Sequence, residues 1–338
     1  MKKTIFAILS VVFTGFIFAV DVEVVPLTDL INPDGIQADR QQLYITEQHS
    51  IYIYSLKDSR LIKKFGEPGE GPQEFKVSLF SEGRIYIHPE PGVLLVNSLK
   101  KISYFTRQGD YIKEIRTVSG SRFIPIGSGF AAYGTVMENK VGYRAVNFHG
   151  QDLKKIKELY REEVGEMGKD INPVIALKLL LFCVSGGKLL IGGKDGIIYV
   201  FDGNGSPLYT IRPQYEPVPF SGEQQRKFEL DFKRHPRFNS LYEVVKSQLK
   251  YPAYFPLMRY FLAADNKVYI RTYKEAKGES EFLIFTMEGK LLKRVMLPVK
   301  EKDALESYPF TIQDGKFYQL VENEQTEEWE LHKVDITI

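Results

Sequence analysis

Five histidines, one cysteine and a glycine-rich acidic loop hold most of what this chain offers for chemistry. A histidine metal site is usually announced by close pairs, such as H-E-x-x-H, that set two imidazoles on one helix face. His49, His88, His149, His235 and His332 are instead scattered, one to a segment. The loop GEPGEGPQEF, residues 66–75, carries Glu70 and Glu74. An exposed Glu70 would suit a cationic ligand or a metal, whereas Glu74 would serve its own loop by accepting from backbone donors. No Lys-Ser/Thr pair follows the glycines and the acidic residues would repel phosphate, so this is not a phosphate loop. Cys183 lies in the apolar run ALKLLLFCVSG and reads as a small buried hydrophobe. No G-x-S-x-G elbow is present; SGS at 119–121 and GSG at 127–129 read as loop chemistry. No catalytic residue and no cofactor is expected from these patterns.

The first twenty residues, MKKTIFAILSVVFTGFIFAV, have the basic start and short apolar run of a secretory signal peptide. Small Ala19 followed by Asp21 favours cleavage there, although Ile17 is a poor fit; the alternative is an uncleaved membrane anchor. No cysteine near the junction allows a lipid anchor. The expected layout is therefore a signal peptide over 1–20 and one domain over 21–338, placed in the periplasm or outside the cell. Without Lys2 and Lys3 the basic residues fall from 45 to 43, matching the 43 acidic ones. That balance lacks the electrostatic footprint of a nucleic-acid binder. One cysteine forms no intrachain disulfide, so stability must come from a large closed core.

The elements that would position these residues are set by a recurring hairpin. It reads IYIYSLKDSRLIKKF from Ile51, ISYFTRQGDYIKEI from Ile102, YRAVNFHGQDLKKI from Tyr143, IYVFDGNGSPLYTI from Ile198 and FLIFTMEGKLLKRV from Phe282. A sixth copy, WELHKVDITI from Trp329, stops before its second strand. Spacings of 41 to 55 residues, with one of 84, are those of propeller blades. Each hairpin follows a short strand and, before that, a more apolar one (GIQAD, RIYIH, LLLFCVS, RYFLAAD, YPFTIQD), giving four strands per unit with the most apolar innermost. The expectation is an all-β, six-bladed β-propeller of four-stranded blades. The orphan strand VEVVPL, Val22 to Leu27, is expected to pair with the carboxy-terminal strand, close the ring and hide an edge. The gap of 84 holds an insertion between blades 4 and 5. There Ser221 and Gln224 form a capping box, Phe228 and Phe232 have helical spacing, and Pro236 ends the helix. A second helix over SLYEVVKSQL would set Leu241, Val244, Val245 and Gln248 or Leu249 on one face. Together the helices, over about 221–250, would form a structural cap or a lid at the channel mouth.

The segment INPDGIQADRQQLYITEQHSIYIYSLKDSRLIKKFG resembles an NHL-type propeller repeat, and GEPGEGPQEF is similar to the G-x-G-P-x-E-F loop of exported bacterial six-bladed propellers. YPAYFPLMRYFLAADNKVYIRT and KLLKRVMLP extend that resemblance over most of the chain, while RFIPIGSGFAAYGTV fits it poorly. The resemblance implies an exported propeller and no general reaction. In a four-stranded meander, every elaborate segment falls on one face of the ring and the short turns on the other. The expected function is therefore a non-enzymatic scaffold that binds a protein or extracellular ligand through its loop-rich face. Glu70, Glu74 and His235 are its first candidates. No nucleic acid is expected, and a membrane only if the first segment stays uncleaved. The rival is a lactonase- or hydrolase-type ring using calcium or zinc at the channel mouth.

Overall fold

The computed structural model describes residues 21–77, 84–117, 122–166, 169–177, 180–236 and 238–336. The amino-terminal segment read as a signal peptide and the SGS at 119–121 lie outside them. Among the described residues, no helix is long and apolar enough to cross a membrane.

Alternating apolar residues and tight turns fold the chain into six four-stranded antiparallel sheets. Sheet 1 runs Gly35–Ala38, Gln42–Glu47, Ser50–Ser55 and Leu61–Phe65; sheet 2 runs Tyr86–Glu90, Val93–Ser98, Lys101–Thr106 and Tyr111–Arg116. Sheet 3 contains Phe123–Ile126, Gly129–Glu138, Val141–His149 and Lys155–Glu166, and sheet 4 contains Leu181–Ser185, Lys188–Gly192, Ile198–Phe201 and Pro207–Ile211. Sheet 5 is Tyr260–Ala264, Lys267–Ala276, Glu279–Thr286 and Leu291–Leu297. Sheet 6 takes Phe310–Gln313, Lys316–Asn323 and Glu328–Asp335 from the chain's end and Val22–Pro26 from its beginning. Val22 lies opposite Val334 and Pro26 opposite Glu330, so the orphan strand is the outermost one of sheet 6, as its sequence predicts. Leu27 N–H then bonds Trp329 O at 2.7 Å, and the Trp329 indole N–H bonds Ile31 O at 2.9 Å.

Period-two alternation sends successive side chains to opposite faces of a sheet. Leu43 and Ile45 therefore pack towards Leu320 and Leu331 of sheet 6, while Tyr44 packs towards Ile87 and Val96 of sheet 2. The same logic builds apolar clusters between sheets 2 and 3, 3 and 4, 4 and 5, and 5 and 6. First strands touch between sheets 1 and 2, 3 and 4, 4 and 5, 5 and 6, and 6 and 1, and lie innermost. The fold is propeller-like.

Three details depart from the sequence reading. A seventh sheet, two-stranded and parallel, forms inside the glycine-rich loop, with Glu67 opposite Glu74 and Pro68 opposite Phe75. In sheet 3, where RFIPIGSGFAAYGTV fits the repeat poorly, the last three strands are long. The third concerns helices α1 (Pro173–Ala176), α2 (Gly222–Arg234) and α3 (Asn239–Val245). α2 has the expected capping box and buries Phe228 and Phe232. α3, however, buries Tyr242, with Val245 and Leu249 alongside, and leaves Leu241 and Val244 exposed. Tyr242 sets this rotation: its ring packs on Phe232 at 5.4 Å and its hydroxyl donates to Glu229 at 2.9 Å.

Candidate functional site

Strand order puts the first-to-second and third-to-fourth turns on one face of the ring. The second-to-third hairpins and the links between sheets lie on the other face. The helices α2 and α3 belong to the link 212–259 and are fastened to the links on either side. Ile171 N–H bonds Gln248 O and Lys250 N–H bonds Ile171 O, each at 2.8 Å. On the other side Ala304 N–H bonds Asp231 Oδ2 at 2.9 Å. Val174 and Leu177 from one link, and Ala304 and Leu305 from the other, share an apolar cluster with Phe220, Phe228 and Phe232. The insertion thus spans from the link before sheet 4 to the link before sheet 6.

Beneath it, three arginines stand one or two residues ahead of innermost strands: Arg84 before Tyr86, Arg122 before Phe123 and Arg259 before Tyr260. Because the innermost strands surround the axis, residues at their starts converge at its mouth. Arg84 donates to Asp34 O at 3.1 Å and pairs with Glu306 at 3.5 Å. The other oxygen of Glu306 is 3.6 Å from His235 Nε2, too long for a hydrogen bond. His235 caps the end of α2 and stacks on Phe238 at 4.6 Å. Glu306, paired with Arg84 of the ring, thus sits beside His235 at the end of α2.

Arg259 belongs to a denser network. It contacts Glu275 and Glu301, each at 2.9 Å, and lies 5.4 Å from the Tyr273 ring. Arg271, only 1% exposed, also pairs with Glu301 and donates to Ser307 at 2.7 Å and Ser280 at 2.8 Å. Burial pulls the Arg271 guanidinium below its ordinary pKa and Arg259 adds to this, while Glu301 opposes it. The Asp34 carboxyl is raised by burial, against the Thr46 hydroxyl and the Arg84 charge.

Arg122 is different. Its guanidinium carbon lies 4.7 Å from the Tyr86 ring of sheet 2 and 5.7 Å from the Phe182 ring of sheet 4, so it bridges the two sheets that flank its own. The residue is half-buried, and Nε is buried without a hydrogen-bond partner. Among the described residues no carboxylate pairs with it. Cation–π contacts with the two rings contribute about 0.5–2 kcal/mol and hold the half-buried guanidinium without a counter-charge from the described residues.

Of the residues singled out by sequence, Glu70 is exposed and paired with Lys76, which holds its carboxyl below the usual range. Glu74 accepts from Gly71 N–H at 2.8 Å and fills the space over Gly69 and Gly71, which is the structural role read for it. These two share a loop; His235 lies with Glu306 and Phe238 instead. His149 Nδ1 is 2.9 Å from Leu153 O, and His332 Nε2 is 2.9 Å from Glu330. Burial, with the Arg122 charge adding, drives His88 well below the ordinary histidine value. Burial pushes the Cys183 thiol up to about 12, leaving it protonated and unreactive. Among the described residues, no group of three or more His, Cys, Asp or Glu side chains is arranged to hold a metal.

Patterns of carboxylates and histidines do not point to these arginines. Their signal was present: RIYIH, RFIPI and RYFLA open three innermost strands with the same residue.

No family model and no curated protein matches the chain by sequence. Among solved structures it is similar to BamB from Moraxella catarrhalis, at 7% identity and a TM-score of 0.31, over 88% of this chain and 71% of that one. It is also similar to a protein of unknown function from Bacteroides caccae, at 10% identity and a TM-score of 0.37, over 84% of each chain. Likeness at this level says nothing of activity.

Proposed function

We propose that the protein is an exported six-bladed propeller of the NHL-like kind, with a helical cap between blades 4 and 5. In this reading it binds a ligand or protein partner through its capped, loop-rich face and performs no chemistry of its own. The observation that carries the reading is the cap itself. It is fastened to two other links and stands over a mouth where Arg84, Arg122 and Arg259 gather. Rigid scaffolds present binding groups on such loops, while the opposite face carries only tight turns.

Capture from the cell's own envelope and medium tests this. Wild-type protein should retain a partner that is lost when residues 221–250 are replaced by a short linker, or when Arg84 becomes Gln. Asn204→Ala with Glu288→Ala, on the tight-turn face, should leave capture intact. Equal loss from both faces, or none from either, removes the reading. Metal content of the purified protein separates it from the hydrolase alternative: about one firmly held calcium or zinc per chain would favour an enzyme.

A further inference from the structure

We propose that Arg122 anchors a site for a singly charged organic carboxylate in the channel mouth, with the ligand's apolar body lying against Tyr86, Phe182 and Tyr260. This deepens the binding reading above and rests on the same face of the ring.

The comparison of the three mouth arginines carries the argument. Arg84 has Glu306, and Arg259 has Glu301 and Glu275. Arg122 stands in the equivalent place, yet it is held between two aromatic rings from different sheets and pairs with no described carboxylate. A guanidinium offers a planar fork of donors that fits a carboxylate with two parallel bonds. The two rings fix its plane and supply a flat apolar surface beside it. Tyr260 opens the innermost strand of sheet 5 and feels the Arg122 charge.

The charge of the ligand follows from the neighbours. His88 is kept neutral by burial and by Arg122, so it adds no second positive charge. The carboxylates of Glu306, Glu301 and Glu275 already match the other arginines and would oppose a dianion. Arg122, unmatched among the described residues and set between aromatic rings, therefore selects a monoanion with an apolar body over phosphate or sulfate.

Benzoate is the probe, with benzamide as its neutral isostere and sulfate as the dianion, at constant ionic strength. Calorimetric titration of the whole mature protein should give saturable benzoate binding with a Kd on the order of 1 mM or tighter, and neither control should bind. Arg122→Gln should weaken benzoate at least about tenfold, and Arg122→Lys should keep part of the affinity. Arg161→Gln, at an outer-strand arginine paired with Glu158 and Glu138, should change nothing. N-acetylphenylalanine against its amide tells whether the site takes a free acid or a chain terminus: binding of the acid without benzoate points to a terminus. No binding of either acid, equal binding of benzoate and benzamide, or full affinity in Arg122→Gln overturns the proposal. Should Arg122→Gln fail to fold, the benzoate–benzamide contrast on wild type and the Arg122→Lys titration still decide. Lost benzoate binding with retained partner capture removes the channel site alone; the reverse removes the partner reading alone.

Discussion

The two faces of the ring are made by the same strands and are held together by different physics. On the tight-turn face, local backbone rules suffice. Gly186–Gly187, Asp265–Asn266 and Asp314–Gly315 all have positive φ at both central positions, the geometry that matches strand twist. Neighbouring turns then lock by short contacts: Asp265 accepts from Gly315 N–H at 2.9 Å and from Gln313 at 3.0 Å. Gly127 and Gly203 approach so closely that a Cβ on Gly127 would lie 2.2 Å from Gly203 O. On the capped face, order depends on charges brought from far apart, such as Arg84 and Glu306 or Arg271 and Glu301. A surface built from local turns tolerates little elaboration, whereas one built from long-range pairs can be rebuilt around a ligand.

The comparison can be broken most severely by removing what both faces share. Deleting residues 22–28 strips the outer strand from sheet 6 and should lower the unfolding midpoint by on the order of 10 °C or more; an unchanged melt would refute ring closure. Next comes the capped face. Arg271→Ala leaves Glu301 short of a partner and should cost about 3–5 kcal/mol in denaturant unfolding. Its counterpart on the turn face, Asp265→Ala, loses two ordinary hydrogen bonds and should cost only about 1–2 kcal/mol. Equal costs would erase the distinction between the faces. Two glycines sharpen it further. Gly69 has φ +150° and a Cβ there would fall 1.9 Å from Glu74 Oε2, so Gly69→Ala should cost about 1–3 kcal/mol. Gly315 has φ +68° and open space, so Gly315→Ala should meet only the backbone penalty of about 1–2 kcal/mol.

The smallest effect is electrostatic and sits in the closing sheet. His332, and then Asn323, hold the Glu330 carboxyl below its ordinary pKa. Its contribution is present above the unfolded value and fades as pH falls through the lower folded one. Glu330→Gln should therefore cost under about 1 kcal/mol at neutral pH, given solvent screening. The gap to wild type should close as pH drops below about 4.3. A gap that persists well below that pH would contradict the pairing.

Much of the fold was legible because its determinants are local. Alternation in IYVFD and FLIFT, the turns GNGS and MEGK, and the capping box at Ser221 each act within a few residues. The strand Val22–Pro26 was legible by elimination, since one hairpin lacked a partner. Sheet 3 resisted because RFIPIGSGFAAYGTV combines short and overlong strands. The rotation of α3 is fixed by Phe232 and Glu229, and neither lies within that helix. The candidate site was the least legible part. Arg84 and Glu306 are 222 positions apart and meet only because strand starts converge on an axis. The bond from Gly71 to Glu74, by contrast, spans only three residues and is legible from the loop itself.

The pairing of Val22–Pro26 with Glu330–Val334 also sets an order of events. A chain emerging from its amino terminus carries this strand without a partner until almost all the rest has been made. Five sheets can form from contiguous sequence during that time, but the sixth waits for both ends, at the entropic expense of closing the longest loop in the molecule. Until then a β-branched edge stays open to other chains. Closing sheet 6 is thus the step that covers this edge. Truncation at either end should be felt first as poor recovery of folded protein.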